Sequence, residues 1–219
     1  ARNNGGDSHE NDLEIEPYHV DHSAPGAYGY VIHTSKGALI YTGDLRTHGS
    51  MPNLTEDFVE ASAKARPIVM ISEGTNIIGA DVSSEFEVQS KVCKVVAGTE
   101  KLVLADFSYT DTDRLRSFHE VAKRSGRVLA ISLKQAHLLC RLRSDNKLKI
   151  PDPASDQHIA IYRRRKKRYY DWEEELLDFD NVIDASEVRE KQDKVLLICA
   201  FSTMGELLEI RPDPCSNFI

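Results

Sequence analysis

Short runs of hydrophobic residues alternate with polar segments along the chain, and the spacing within each run predicts its secondary structure. Near the amino terminus, three alternating runs predict strands over 13–20, 27–34 and 38–42. The residues Ser35-Lys36-Gly37 lie between the second and third runs, which predicts a tight hairpin turn. A run with helical spacing over 55–65 predicts the first helix.

From residue 67 onward, apolar runs alternate with amphipathic stretches. Strands are predicted over 68–72 (buried), 102–105, 127–132, 158–162 and 194–201, and helices over 83–96, 110–124, 134–143, 170–177, 186–192 and 203–210. Ser83 or Ser84 is the predicted N-cap of the first of these helices, and Gly126 the C-cap of the second. This alternation is typical of a parallel sheet covered by helices, so the predicted fold class is α/β.

Composition narrows the class of protein. Of the 219 residues, 41% are hydrophobic and 29% charged, which is ordinary for a globular protein in water. No apolar run approaches the length of about 18 residues that spans a bilayer. The four cysteines form no CxxC pair, which favours reduced thiols and a cytoplasmic location. The formal net charge of −7 argues against a surface that coats nucleic acid, although a local basic groove remains compatible with it.

Two segments carry candidate chemistry: DHSAPGAYGY at 21–30 and YTGDLR at 41–46. A histidine and an aspartate at neighbouring strand ends can face one spot, and imidazole and carboxylate are ligands of Zn²⁺ or Mn²⁺. His22 and Asp44 are therefore candidate ligands. Taken alone, however, a histidine before a turn is more often an ordinary solvated residue.

Together with ISEGTN at 71–76, these segments resemble RNase J-type β-CASP ribonucleases of the metallo-β-lactamase superfamily. The resemblance implies that His22 is a metal ligand, that Asp44 bridges two metal ions and that Glu73 supports the catalytic centre. It implies a cofactor of two zinc ions, with manganese as the alternative. It also implies a partial metallo-β-lactamase sandwich over 1–75, followed by a mostly complete, Rossmann-like β-CASP domain over 76–219.

The sequence departs from the family pattern in two places. It contains no H-x-H-x-D-H motif, which in the family precedes the position of His22 and supplies most metal ligands. The later β-CASP histidine motifs are also missing, because His119 and His137 do not match their positions. The whole family member is expected to hydrolyse RNA phosphodiesters with metal-activated water, as an exonuclease or an endonuclease. The isolated chain is expected to be inactive, so whether it is itself an enzyme stays open.

A run of six basic residues is the sharpest charge feature of the chain. It comprises Arg163, Arg164, Arg165, Lys166, Lys167 and Arg168, with Tyr169, Tyr170 and Trp172 just after it. Cations beside aromatic rings suit contact with phosphates and stacked bases, so this run is a candidate RNA-binding site. The alternatives are a solvated turn balanced by the acidic residues 173–175, or a nuclear-localisation signal.

Two rival functions stay open beside a partial ribonuclease. One is a non-catalytic RNA-binding or assembly module, and the other is a small-molecule hydrolase of the metallo-β-lactamase fold. The expected partner is RNA, with no membrane contact and with self-association through exposed apolar surface. The leading hypothesis also makes a geometric prediction. His22, Asp44 and Glu73 should converge at the open end of the hairpin formed by strands 27–34 and 38–43.

Overall fold

The computed structural model describes residues 13–75 and 83–219. The first twelve residues and Asn76, the last residue of the ISEGTN segment, lie outside the described part. By its internal contacts the chain divides into one unit of residues 1–22 and 26–82 and a second of residues 23–25 and 83–219. The assignment of residues 1–75 and 76–219 to the two family domains stays a prediction.

The described residues of the first unit form a mixed four-stranded sheet with one helix. Its elements are β1 (Glu14–His19), β2 (Tyr28–Thr34), β3 (Gly37–Tyr41), α1 (Pro52–Lys64) and β4 (Val69–Ile71). The strand order is β1-β2-β3-β4, with β1, β2 and β3 antiparallel and β4 parallel to β3. The predicted hairpin is therefore confirmed, with Thr34 paired to Gly37 at its closed end. Helix α1 begins three residues earlier than predicted, because Pro52 occupies its first turn, where a missing N–H costs nothing.

The core of the first unit is small. Its buried members are Val20, Val31, Ile40 and Phe58, and the ring of Phe58 lies on the sheet at Gly29. A β-carbon at Gly29 would come within 2.5 Å of that ring, so only glycine allows this close approach of helix and sheet. One aromatic ring of α1 thus supplies much of the contact between the two layers.

Strand β4 differs from two predictions, in its exposure and in the sheet that it joins. The strand predicted over 68–72 is not buried: Val69, Met70 and Ile71 are 46%, 66% and 56% exposed. Among the described strands it lies at the edge of the sheet and pairs with β3 alone, and no described element of this unit covers its apolar side chains. The parallel sheet also begins later than residue 67, because β4 joins the first sheet. Exposed apolar surface on this unit was expected, and β4 contributes to it.

The second unit has a six-stranded parallel sheet. Its elements are α2 (Glu85–Ala97), β5 (Val103–Ala105), α3 (Thr112–Ser125), β6 (Val128–Ser132), α4 (Leu133–Leu142), β7 (Ile159–Tyr162), α5 (Asp171–Leu177), β8 (Val182–Ile183), α6 (Ala185–Glu190), β9 (Val195–Ile198), α7 (Leu207–Ile210) and β10 (Asn217–Phe218). The strand order is β10-β5-β9-β6-β7-β8. One apolar cluster joins α2 to α5 with one face of the sheet, and another joins α6 and α7 with the opposite face. The predicted α/β class is thus confirmed as one mixed sheet and one parallel sheet.

Local capping explains several boundaries in the second unit. Ser84 caps α2 in a reciprocal capping box with Glu87. Gly126 ends α3 with a φ of 67°, in the left-handed region that glycine tolerates. The helix predicted over 203–210 is wrong in type over its first part, because Phe201–Glu206 is a 3₁₀ helix. Within the described residues, no helix is long and apolar enough to span a membrane.

Candidate functional site

The three predicted site residues of the first unit follow strands that end at one edge of the mixed sheet. His22 lies beyond the end of β1, and Asp44 and Glu73 lie beyond β3 and β4. Strand β1 is antiparallel to β2, β3 is antiparallel to β2, and β4 is parallel to β3. Since β1, β3 and β4 therefore run in the same direction, the three residues follow strand ends at the same edge of the sheet. That their side chains converge on one face stays a prediction. Their roles as ligands or catalytic groups stay a prediction.

Hydrogen bonds hold the segments after β3 and β4 together at this edge. The backbone N–H of Thr42 donates to the carbonyl of Ile71 at 3.0 Å. The N–H of Glu73 donates to the hydroxyl of Thr42 at 3.3 Å, and the N–H of Leu45 donates to the Glu73 carboxylate at 3.2 Å. Glu73 is thereby tied to the residue that follows Asp44. The Asp44 side chain is exposed and makes no hydrogen bond or ion pair with any residue that the structure describes.

Gly43 determines how the chain turns into Asp44. Its φ is +56°, and a β-carbon there would lie 2.5 Å from the backbone carbonyl oxygen of Tyr28. Any other residue would combine a strained dihedral with a collision against backbone, which cannot move as a flexible side chain can. The glycine of the YTGD segment is therefore a steric requirement of the hairpin's open end.

The charge on Glu73 is stabilised by its surroundings. A hydrogen bond from the Thr75 side chain is the largest influence and lowers the pKa of Glu73 below its usual value of 4.5. Partial burial opposes this effect, while the backbone N–H groups of Leu45 and Thr75 and the positive charge of protonated His22 lower the pKa further.

We expect replacement of Thr75 by valine to raise the pKa of Glu73 toward 4.5, because the valine keeps the shape of the side chain and removes its donor. Carbon-detected NMR titration of the Glu73 carboxyl measures this. Because the folded-state pKa is lowered, the carboxylate stabilises the fold above its unfolded-state pKa, and this contribution is lost as the pH falls through the folded-state pKa. Ser72→Ala is the matched control and should leave the titration unchanged; equal titration curves for Thr75→Val and wild type would contradict the assignment.

Asp21 is a residue of this edge that sequence reasoning missed. It directly precedes His22 and is only 3% exposed. Its carboxylate accepts a hydrogen bond from the N–H of Gly49 at 2.8 Å and lies 3.5 Å from Nε of Arg46. Its backbone carbonyl accepts from the N–H of Arg46 at 2.9 Å, and its N–H donates to Thr55 Oγ1 at 3.0 Å. Asp21 thus connects the turn that holds His22 to the loop after β3 and to helix α1.

The donor set of this edge does not by itself fit a metal ion. In residues 13–75 and 83–219, no three histidine, cysteine, aspartate or glutamate side chains converge closely enough to hold one. A catalytic zinc ion takes three protein ligands and a water molecule, and a pair of ions needs more. One imidazole and one exposed carboxylate, with a glutamate already bonded to backbone N–H groups, fall short of that requirement.

The basic run lies in the loop between β7 and α5, and most of its cations are already paired. The ion pairs join Arg163 to Asp184 at 3.1 Å, Arg164 to Glu206 at 3.0 Å, Arg165 to Glu209 at 3.8 Å, and Lys166 to Glu173. Lys167 and Arg168 have no ion-pair partner among the described residues, and both are exposed. The six cations are therefore not equivalent, which the sequence alone did not indicate.

A cavity of about 660 Å³ lies at the carboxyl ends of four strands of the parallel sheet. Its lining includes Asp106, Ser132, Tyr162 and Cys199, which end or follow β5, β6, β7 and β9. The Tyr162 hydroxyl donates to Glu206 at 2.9 Å, and burial, followed by this bond, raises the pKa of Tyr162. Open parallel sheets commonly bind ligands at this edge. The second unit therefore has a concave, ligand-sized region of its own.

Comparison with known proteins gives a distant and partial relation to Ribonuclease J. The chain is 28% identical over 130 residues to Ribonuclease J of Sinorhizobium meliloti, a match that covers 56% of this chain and 23% of the relative. It is 27% identical over 123 residues to Ribonuclease J 1 of Streptococcus pyogenes, covering 54% and 22%. These matches span less than a quarter of the relatives' lengths. No family model matches the chain.

A solved structure shares the fold. It is a protein of unknown function from Enterococcus faecalis, which superposes with a TM-score of 0.64 at 18% identity. The match covers 87% of this chain and 43% of that one. The comparisons thus establish a weak relation to Ribonuclease J and a shared α/β architecture.

Proposed function

We propose that this chain is part of a metal-dependent ribonuclease resembling RNase J, to which it contributes His22, Asp44 and Glu73. One observation carries the proposal: β1, β3 and β4 end at one edge and place these three residues there. The partial similarity to Ribonuclease J supports RNA as the substrate class. In this account the first unit is part of a metallo-β-lactamase sandwich, and the second is a Rossmann-like β-CASP domain.

Glu73 acts in this proposal as a positioning residue. Its carboxylate accepts the N–H of Leu45 and so fixes the loop that presents Asp44 to solvent. His22 is held from the other side, because the neighbouring Asp21 is bonded into the same loop. Hydrogen bonds within the chain maintain both arrangements. The family's zinc pair requires ligands beyond those described, so no chemical step is assigned to the isolated chain.

A non-catalytic RNA-binding or assembly module is the second candidate function. The observation that favours it is the lack, in the described residues, of three converging metal-ligating side chains. Under this reading the exposed Asp44 is an ordinary surface carboxylate. Both candidates predict RNA binding, and they differ in whether Asp44 takes part in cleavage when the remaining ligands are supplied.

We expect the isolated chain to bind RNA without cleaving it and to retain no stoichiometric metal. The described residues offer too few ligands for a catalytic ion, while Lys167 and Arg168 are exposed and make no ion pair with any of them. Metal analysis after dialysis, filter binding of labelled RNA and a cleavage assay with added Zn²⁺ or Mn²⁺ measure the three properties together. Stoichiometric metal with chelator-sensitive cleavage would contradict the partial-site account, and failure to retain RNA would remove RNA as the substrate class.

A further inference from the structure

We infer that Lys167, Arg168 and Tyr170 form a binding site for single-stranded RNA, in which the two cations contact phosphates and the tyrosine ring stacks on a base. The inference rests on the proposed function for the class of ligand. It differs from the sequence-based prediction in two respects. It assigns RNA contact to Lys167 and Arg168 rather than to all six cations, and it selects Tyr170 from the three aromatic residues that follow the run.

Charge pairing selects these two cations. The first four members of the run face Asp184, Glu206, Glu209 and Glu173 across ion pairs within the second unit. A phosphate that approached them would have to compete with a carboxylate already in place. Lys167 and Arg168 make no such pair with any described residue, so their charge is available to a polyanion.

Tyr170 is placed and held as a stacking platform. It is 67% exposed, and its ring lies nearly parallel to that of Trp172, with centroids 6.4 Å apart and an interplanar angle of 9°. Trp172 is in turn held edge-on by His137, at 5.0 Å between ring centroids. Exposed aromatic rings bind single strands with little sequence preference, because every base presents a flat face.

The backbone around Tyr170 is also fixed. Glu173 is only 4% exposed, and its carboxylate accepts the N–H of Tyr170 at 3.0 Å. The same carboxylate is bonded to Lys166, whose ammonium lies 5.4 Å from the centroid of the Tyr170 ring. The buried carboxylate of Glu173 therefore joins Lys166 of the basic run to Tyr170 at the start of α5. Because these contacts already hold the segment, little ordering of it is needed on binding.

Nearby acidic residues set the strength of the site. Asp171, Glu174 and Glu175 are exposed and lie just beyond Tyr170 in the sequence. Together with the formal net charge of −7, they oppose long-range attraction of RNA. Affinity should therefore be modest at physiological salt and depend on direct contacts. Removal of these acidic charges should tighten binding, an effect opposite in sign to removal of the cations.

The test is filter binding of short, labelled oligouridine by the full chain across a range of salt concentrations. For Lys167→Ala/Arg168→Ala we expect the slope of log affinity against log salt to fall by about 1.4, which is two single-strand phosphate contacts. The matched control is Lys123→Ala/Arg124→Ala, an exposed Lys–Arg pair at the end of α3 with the same change in net charge. The slope for this control pair should change by less than half of the change expected for Lys167→Ala/Arg168→Ala.

Stacking and repulsion are tested in the same assay. Tyr170→Ala should weaken binding about tenfold while Tyr170→Phe, which keeps the ring, binds like wild type. Glu174→Gln/Glu175→Gln should tighten binding. Circular dichroism establishes that each variant is folded.

The possible failures are distinguishable. If the wild-type chain does not bind oligouridine at low salt, RNA is the wrong class of ligand, and the proposed function fails together with the inference. If the wild type binds but Lys167→Ala/Arg168→Ala behaves like the control pair, RNA contacts another surface and only this inference is overturned. Equal weakening by Tyr170→Ala and Tyr170→Phe would contradict stacking.

Discussion

Replacement of Arg127 by methionine is expected to destabilise the second unit by roughly 3–5 kcal/mol, the range for loss of a buried hydrogen-bonded network. Arg127 is 5% exposed and precedes β6. Its guanidinium donates to the carbonyls of Lys101 at 2.8 Å, Val195 at 3.2 Å and Gln192 at 3.4 Å, and also to that of Thr99. These carbonyls lie before or at the start of β5 and β9, so one cation joins the amino ends of three neighbouring strands.

Methionine keeps an apolar stem of similar length and removes every donor, which leaves buried carbonyl groups without partners. Burial already lowers the pKa of Arg127, although an arginine stays charged at any ordinary pH. Denaturant unfolding followed through Trp172, the single tryptophan, reports on this unit. Arg124→Met, at an exposed position on α3, is the control and should change stability by no more than about 0.5 kcal/mol. Equal midpoints for the two variants would contradict the structural role of Arg127.

Phe58→Ala is expected to destabilise the first unit by about 3–5 kcal/mol, the usual cost of removing a buried aromatic ring. The effect should be severe because, among the described residues, only three other buried side chains share this core. Phe58 is 2% exposed, and its ring covers Gly29 and lies 6.0 Å from the ring of Tyr18, between centroids.

Hydrogen exchange of the amides in β2 and β3 measures this loss, since Trp172 lies in the other unit. Protection of those amides should collapse in Phe58→Ala while the fluorescence of Trp172 stays unchanged. Val59→Ala, at a neighbouring position that is 57% exposed, should keep the wild-type protection. Unchanged exchange in Phe58→Ala would show that the first unit is stabilised by something other than this core.

Local signals predicted much of the fold. The turn at Ser35-Lys36-Gly37, the capping serine at 84 and the glycine at 126 each fix a chain reversal or a helix end through their own chemistry. The prediction that the strand over 68–72 is buried was wrong. An apolar run has the same composition whether it lies at the centre or at the edge of a sheet, so composition could not distinguish the two. The two-residue strands β8 and β10 are too short to leave a pattern.

The candidate site was only partly accessible to sequence reasoning. His22 precedes the first strand of the predicted hairpin and Asp44 follows the second. Antiparallel pairing brings these two strand ends together, so the sequence predicted that both residues lie at the same edge of the sheet. The bonding of Asp21 to Arg46 and Gly49 could not be predicted, because it depends on how two loops pack. Likewise, the partners that neutralise the basic run lie up to 44 positions further along the chain, as the pair Arg165–Glu209 shows. Such pairs depend on the tertiary structure, which brings residues distant in the sequence together.

The most direct test of the central claim is RNA cleavage by a chimera in which this chain replaces the matching segment of Ribonuclease J from Sinorhizobium meliloti. Under the proposed function the rest of that protein would supply the remaining ligands, and circular dichroism establishes that the chimera folds. The account predicts metal-dependent cleavage by the chimera and its loss on Asp44→Asn, with Asp57→Asn, an exposed carboxylate on α1, as the unaffected control. Equal cleavage by the Asp44→Asn and Asp57→Asn chimeras would contradict the account.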